Sequence, residues 1–152
     1  HKSNAASSAT GLRASRGAHE YLTIRQFSDV DACISAMQAD SGREIWATAL
    51  NDTAVSTNDI SALPTKGVFL VVGNEANGVC PEILQAANKH VFLPMVGFVQ
   101  SLNVTVATAL ALQTLLYVDR THHARARGNV EDLRLPQSER HELAARFCTI
   151  AL

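Results

Sequence analysis

The sequence predicts an α/β fold with a parallel sheet, and three observations carry the prediction. Residues 68–72 are Val, Phe, Leu, Val and Val in unbroken succession. Such a run requires burial on both faces of a strand, which is the habit of parallel sheets. Short apolar segments at 44–50, 67–72 and 91–93 alternate with segments of helical period. A long apolar helix, expected over 104–119, follows the last of them.

Composition sets the bounds. A chain of 152 residues suits one domain with a real core. Hydrophobic residues at 47% and charged residues at 18% exclude a disordered chain. The formal net charge of −1 means that any nucleic-acid partner must be held by a local patch rather than by bulk charge. Cys33, Cys80 and Cys148 are far apart and odd in number, with no CxxC or Cys/His zinc spacing, so neither a disulfide framework nor a metal site is expected. That usage fits a reduced, cytoplasmic setting. The apolar stretch 104–116 is interrupted by Thr105, Thr108, Gln113 and Thr114, so no membrane span is expected.

Residues 1–17, rich in Ser, Ala and Gly, read as a flexible or loop segment. A short strand is expected over 19–24. Ser28, followed three residues later by Asp31, reads as a helix start of the capping-box kind. Val30, Cys33, Ile34 and Met37 then share one helical face, and Ser41-Gly42 closes the helix. Residues 44–50 read as a buried strand, Asn51-Asp52 as a turn, and 53–66 as polar and irregular. After the strand at 67–72 comes a loop over 74–78. Pro81 then opens a helix at the position where its missing N–H costs nothing, with Glu82 favouring the helix N-terminus. Ser101 or Asn103 can cap the helix at 104–119. The more polar tail, 120–152, reads as a C-terminal helical extension whose last helix starts at Pro136 and turns Leu143 and Phe147 inward.

Two loops carry candidate chemistry. Gly73-Asn74-Glu75-Ala76-Asn77-Gly78 follows the strongest strand, where open α/β sheets bind ligands. It matches neither G-x-G-x-x-G nor a P-loop, so a kinase reading is weak. Glu75 can serve as a polar site residue or stand as an exposed loop acid. Residues 94–103 join a buried strand to a buried helix yet carry Met95, Val96, Phe98 and Val99. Such a loop, with Gly97, Gln100, Ser101 and Asn103, can wrap a flat ring and bond it through backbone groups. The plainer reading is a tucked-in connection with Asn103 only capping. His122 and His123 are adjacent and diverge on a helix, so they do not form a metal site. Arg120, Arg125 and Arg127 form either a solvated face or a hold on RNA phosphates.

These loops carry a resemblance. Residues 70–79, LVVGNEANGV, resemble the second signature of the SPOUT methyltransferases. Residues 93–112, LPMVGFVQSLNVTVATALAL, resemble the third, including its Pro-Met-x-Gly-x-x-Gln-Ser-Leu-Asn-Val core. Within the superfamily the chain looks most like the TrmH type, the tRNA guanosine-2′-O-methyltransferases. The likeness extends upstream into residues 45–55 and downstream into the last segment.

The resemblance implies a SPOUT α/β knot: a mostly parallel sheet with helices on both faces and a C-terminal trefoil knot. It implies a homodimer, S-adenosylmethionine as cofactor, and methyl transfer to a ribose 2′-hydroxyl of RNA, tRNA favoured over rRNA. The implied cofactor contacts are Thr48, Ala49, Leu50, Gly73, Asn74, Gly78, Leu93, Met95, Gly97, Leu102 and Asn103. The implied catalytic set is Glu75, Ser101 and Asn103, with Ser101 and Asn103 positioning and Glu75 orienting polar groups. The family's first signature pairs an Asn with a downstream Arg that activates the 2′-hydroxyl, and it is not found here; Arg13 and Arg16 lack its context. The expectation is therefore a methyltransferase domain over 18–152 that lacks its N-terminal part. Two alternatives stay open: a ribosomal RNA enzyme of the same superfamily, and a catalytically silent RNA-binding or dimerisation module.

Overall fold

The computed structural model of the chain describes residues 24–97, 102–126 and 147–151, with backbone alone for 123–126 and 147–151. In chain order the elements are α1 (Val30–Gln38), β1 (Glu44–Thr48), β2 (Val55–Ser56), a 3-10 turn (Thr57–Asp59), β3 (Val68–Val72), α2 (Pro81–Ala86), β4 (Lys89–Phe92), α3 (Val104–Ala126) and β5 (Phe147–Ala151). The strands form one sheet in the order β2-β4-β1-β3-β5. Every pairing is parallel.

The sequence alternation divides each central strand between two cores. Ile45 and Ala47 of β1 and Phe69 and Val71 of β3 pack with Cys33 and Met37 of α1 and Ile83 of α2. Trp46, Val68, Leu70, Val72 and Val91 face the other way, against Ala111 and Leu115 of α3 and Ile60 beyond the 3-10 turn. All five residues of β3 are therefore buried, as its unbroken apolar run requires. Helices cover both faces, the arrangement expected of parallel strands.

Local chemistry sets the ends. Asp29, not Ser28, caps α1: its Oδ1 accepts the Ala32 N–H at 2.8 Å, while the Ser28 hydroxyl donates to its other oxygen at 2.6 Å. Val30, Cys33, Ile34 and Met37 face the core as their spacing predicts. Gly42 turns the chain toward β1 at φ +104°, a backbone that favours glycine. Pro81 stands at the start of α2 as expected. Asn88 extends the β1–β4 pairing: its N–H donates to Ile45 O at 2.8 Å, and its side-chain oxygen accepts the Ile45 N–H at 2.7 Å. Lys89 lies opposite Trp46 in register, and its ammonium sits 4.4 Å from the indole centroid.

Three expectations change. The stretch 53–66 is not wholly irregular, because Val55–Ser56 pairs with β4 as an edge strand. Two residues carry no period, so nothing local marks them. Helix α3 continues past 119 to Ala126, so Arg120 and Arg125 belong to this helix. Phe147 does not belong to a last helix; it opens β5, which pairs with the edge of β3. Leu112 packs into the core, and the exposed large apolar residues of that helix, among those described, are Val106, Leu110 and Tyr117. Of the short strand expected at 19–24, only Ile24 lies within the described residues, and it is not in a strand; Pro136 and Leu143 also fall outside them. Among the described residues no helix is long and apolar enough to cross a membrane.

Candidate functional site

Because the strands are parallel, the carboxyl ends of β4, β1 and β3 lie along one edge of the sheet as direct neighbours. Three connections leave that edge side by side: 49–54 after β1, 73–80 after β3 and 93–103 after β4. The cofactor contacts implied by the sequence fall in these three connections or on the strand end that feeds them. Ligands bind at this edge of an open parallel sheet because strand ends and loops leave backbone groups unpaired there.

The first connection starts at Thr48, half-buried at the end of β1. Ala49 stays tied to the sheet, its N–H donating to Val91 O at 3.0 Å. Leu50 then stands 73% exposed, apolar and uncovered. The chain turns at Asn51, whose carbonyl accepts the Ala54 N–H at 3.0 Å.

The second connection is a tight turn built by its own residues. The Asn74 side-chain oxygen accepts the N–H groups of Ala76 and Asn77 at 3.0 and 2.8 Å, and its carbonyl accepts the Gly78 N–H at 2.9 Å. Gly78 adopts φ +68° to close the turn. A Cβ on Gly73 would stand 1.9 Å from the Gly78 carbonyl carbon, so only glycine lets the loop fold back. Thus Gly73, Asn74 and Gly78 are committed to shaping the turn. Glu75 is exposed at its tip.

The third connection begins with Leu93, which packs against the core that holds Val72 and Val91. Met95 is half-buried, Val96 is fully exposed, and Gly97 takes φ +134°. Ser101 lies outside the described residues. Leu102 is half-buried. Asn103 is exposed and caps α3: its Oδ1 accepts the Thr105 N–H at 2.9 Å and its carbonyl the Ala107 N–H at 2.9 Å. The plain capping role is therefore filled, and the Asn103 side-chain N–H₂ takes no part in it.

Arg120 is exposed on α3. The Arg125 side chain and Arg127 lie outside the described residues, so their grouping rests on sequence. One neighbour of the site was missed by the sequence reading. His90, on β4, bonds across to the turn after β1 through Asn51 and Thr53. Its only local signal is a polar ring on a strand directly before the buried Val91.

Residues 1–113 match the family model described as SpoU rRNA Methylase family. The chain belongs to this family. It is 37% identical over 97 residues to the tRNA (guanosine(18)-2′-O)-methyltransferase of Aquifex aeolicus, a match covering 64% of this chain and 44% of that protein. It is 28% identical over 131 residues to the enzyme of the same name from Borreliella burgdorferi, covering 86% of this chain and 56% of that protein. The crystal structure of the A. aeolicus TrmH/SpoU tRNA modifying enzyme superposes with a TM-score of 0.61 at 27% identity, covering 88% of this chain and 64% of that one. This SpoU chain spans about half the length of the curated relatives it matches. Its match reaches past the second and third signatures read from sequence, into the start of α3.

Proposed function

We propose that this SpoU chain is the cofactor-binding part of an RNA 2′-O-methyltransferase that uses S-adenosylmethionine and acts on a guanosine ribose of tRNA. The observation that carries the proposal is the convergence of the three connections on one sheet edge, two of them bearing family signatures. The printed activity of the Aquifex and Borreliella relatives supports the tRNA guanosine. The rRNA reading keeps support from the description of the family model. A cytoplasmic setting belongs to the same proposal.

The residues present suit the cofactor. Leu50 and Val96 leave apolar surface uncovered at 73% and 104% exposure, and Leu93, Met95 and Leu102 on the third connection are half-buried. An adenine ring covers such surface at a gain of roughly 25 cal/mol per Å2 buried. Thr48, Ala49 and Gly97 bring backbone groups to its edge, and Gly73, Asn74 and Gly78 hold the second wall in shape. Bound there, the cofactor supplies an electrophilic methyl on sulfur to the ribose 2′-hydroxyl.

The chain's own groups orient and exclude. Asn103, its oxygen spent on the cap, has its side-chain N–H₂ left to hold an oxygen of the substrate or of a neighbouring site group. Ser101 positions with it, and Glu75 orients polar groups at the rim rather than taking the proton. The apolar walls keep water from the methyl, and orientation of this kind accounts for much of the rate in such transfers. Arg120, Arg125 and Arg127 are the proposed phosphate contacts. The C-terminal trefoil knot and the homodimer belong to the same proposal; the exposed Val106, Leu110 and Tyr117, spaced to share one side of α3, support the second copy.

The test is S-adenosylmethionine binding by calorimetry on this chain, beside Leu102→Asp, followed by tritiated-methyl transfer to unmodified tRNA and to rRNA by the full-length protein. Binding by the parent and its loss in Leu102→Asp are expected, with transfer to tRNA. No binding by a folded parent would sink the cofactor reading, and transfer to rRNA alone would replace tRNA as the substrate.

A further inference from the structure

The ring of His90 is held at both nitrogens, and its partners identify the tautomer. Nε2 lies 3.0 Å from the carbonyl oxygen of Leu84 in α2. A carbonyl can only accept, so Nε2 carries a proton. Nδ1 lies 3.0 Å from the side-chain nitrogen of Asn51. The Asn51 oxygen is committed elsewhere, accepting the Thr53 N–H at 3.2 Å; the Thr53 hydroxyl, 2.9 Å from that oxygen and 3.2 Å from Nδ1, has one hydrogen to donate to either. The amide therefore presents N–H₂ to His90, and Nδ1 must accept. Both ends require the same species: a neutral imidazole with its proton on Nε2.

This bond closes a span of 39 residues. On one side is the turn that begins directly after Leu50; on the other is the strand that leads into Leu93 and Met95. We infer that His90 is a positioning residue: its neutral Nε2–H ring latches the Asn51–Thr53 turn onto β4 and so sets the segment of Thr48, Ala49 and Leu50 at the cofactor site. The inference rests on the cofactor reading of that segment.

The charged groups on the elements around the latch are Asp52 in the turn, Glu82 on α2, Glu44 on β1 and Lys89 on its own strand. Lys89 is turned to Trp46. No carboxylate among the described residues is paired with His90.

Two substitutions separate the ring's two bonds. In His90→Asn the side-chain oxygen takes the place of Nδ1, keeping the acceptor for Asn51 and losing the donor to Leu84. In His90→Gln the amide nitrogen takes the place of Nε2, keeping the donor and losing the acceptor. Calorimetry with S-adenosylmethionine at about pH 8 is expected to show His90→Asn within about twofold of the parent and His90→Gln weaker by about three- to tenfold, the size of one hydrogen bond. Asn51→Asp, which removes the donor to Nδ1, is expected to weaken binding as His90→Gln does. Equal losses in both His90 variants, or no loss in Asn51→Asp, would overturn the latch. If the parent binds no cofactor, the cofactor reading fails. The latch is then judged on the 15N shifts of the ring: Nε2–H supports it and Nδ1–H overturns it.

Discussion

Asn103 shows how a single side chain can hold two roles that one substitution confuses. Its oxygen caps α3, and the proposed function uses its nitrogen. Asn103→Ala removes both, with a cap worth about 1 kcal/mol and an expected fall in melting temperature of about 2–4 °C. Asn103→Asp keeps an acceptor at the helix N-terminus, where negative charge is favourable, and removes only the donor. Both are expected to lose methyl transfer, while Asn103→Asp melts with the parent; full activity in Asn103→Asp would leave Asn103 as a cap alone. Gly73 poses a different question. Its Cβ would meet the backbone of Gly78 at 1.9 Å, and backbone cannot rotate aside as a side chain can. Gly73→Ala is expected to open the turn and weaken S-adenosylmethionine binding by about tenfold or more, at a cost of about 1–3 kcal/mol in stability; unchanged binding would mean the turn has no part in the pocket. The sequence showed a glycine-rich loop directly after the strongest strand. It did not show that Gly73 is required by a residue five positions on.

The behaviour of α3 depends on which of its apolar sides meets the sheet. Leu115 is fully buried against β1, β3 and β4 residues. Leu115→Ala is expected to cost about 2–5 kcal/mol, readable as a lower denaturation midpoint with an unchanged slope. Leu110→Ser, at an exposed position, is expected to stay within about 0.5 kcal/mol of the parent monomer's stability. A helix apolar on more than one side gives no periodic signal to choose between them, which is why Leu112 reads equally well as core or contact. The strand run at 68–72 was legible for the opposite reason. With every residue apolar, no choice of face is needed. The three Thr hydroxyls of α3 that donate to carbonyls one turn back, from Thr108, Thr114 and Thr121, hide their polarity within the helix.

Across the molecule the proposal needs one face for a second copy and one for RNA. Val106, Leu110 and Tyr117 offer the apolar stripe. Light scattering at micromolar protein is expected to give a dimer, and Leu110→Asp a monomer with native circular dichroism; a monomeric parent would end the homodimer reading. With a net charge of −1, RNA affinity must come from local cations. Reversing Arg120, Arg125 and Arg127 to Glu is expected to weaken RNA binding and to flatten its dependence on salt by up to about three phosphate contacts. No change in either would return the cluster to the solvated reading.

The α/β class, the parallel sheet and the edge that carries the candidate site were all legible in the linear order of residues. Each depends on local features: an unbroken apolar run, a proline at a helix start, glycines and an asparagine in a turn. The pairing of β5 with β3, the exposed stripe of α3 and the two bonds that place the proton of His90 were not. Each joins groups that are distant in the chain or chooses between faces of equal apolarity. That choice is made by packing, since hydrophobic burial has no direction of its own until the sheet supplies one.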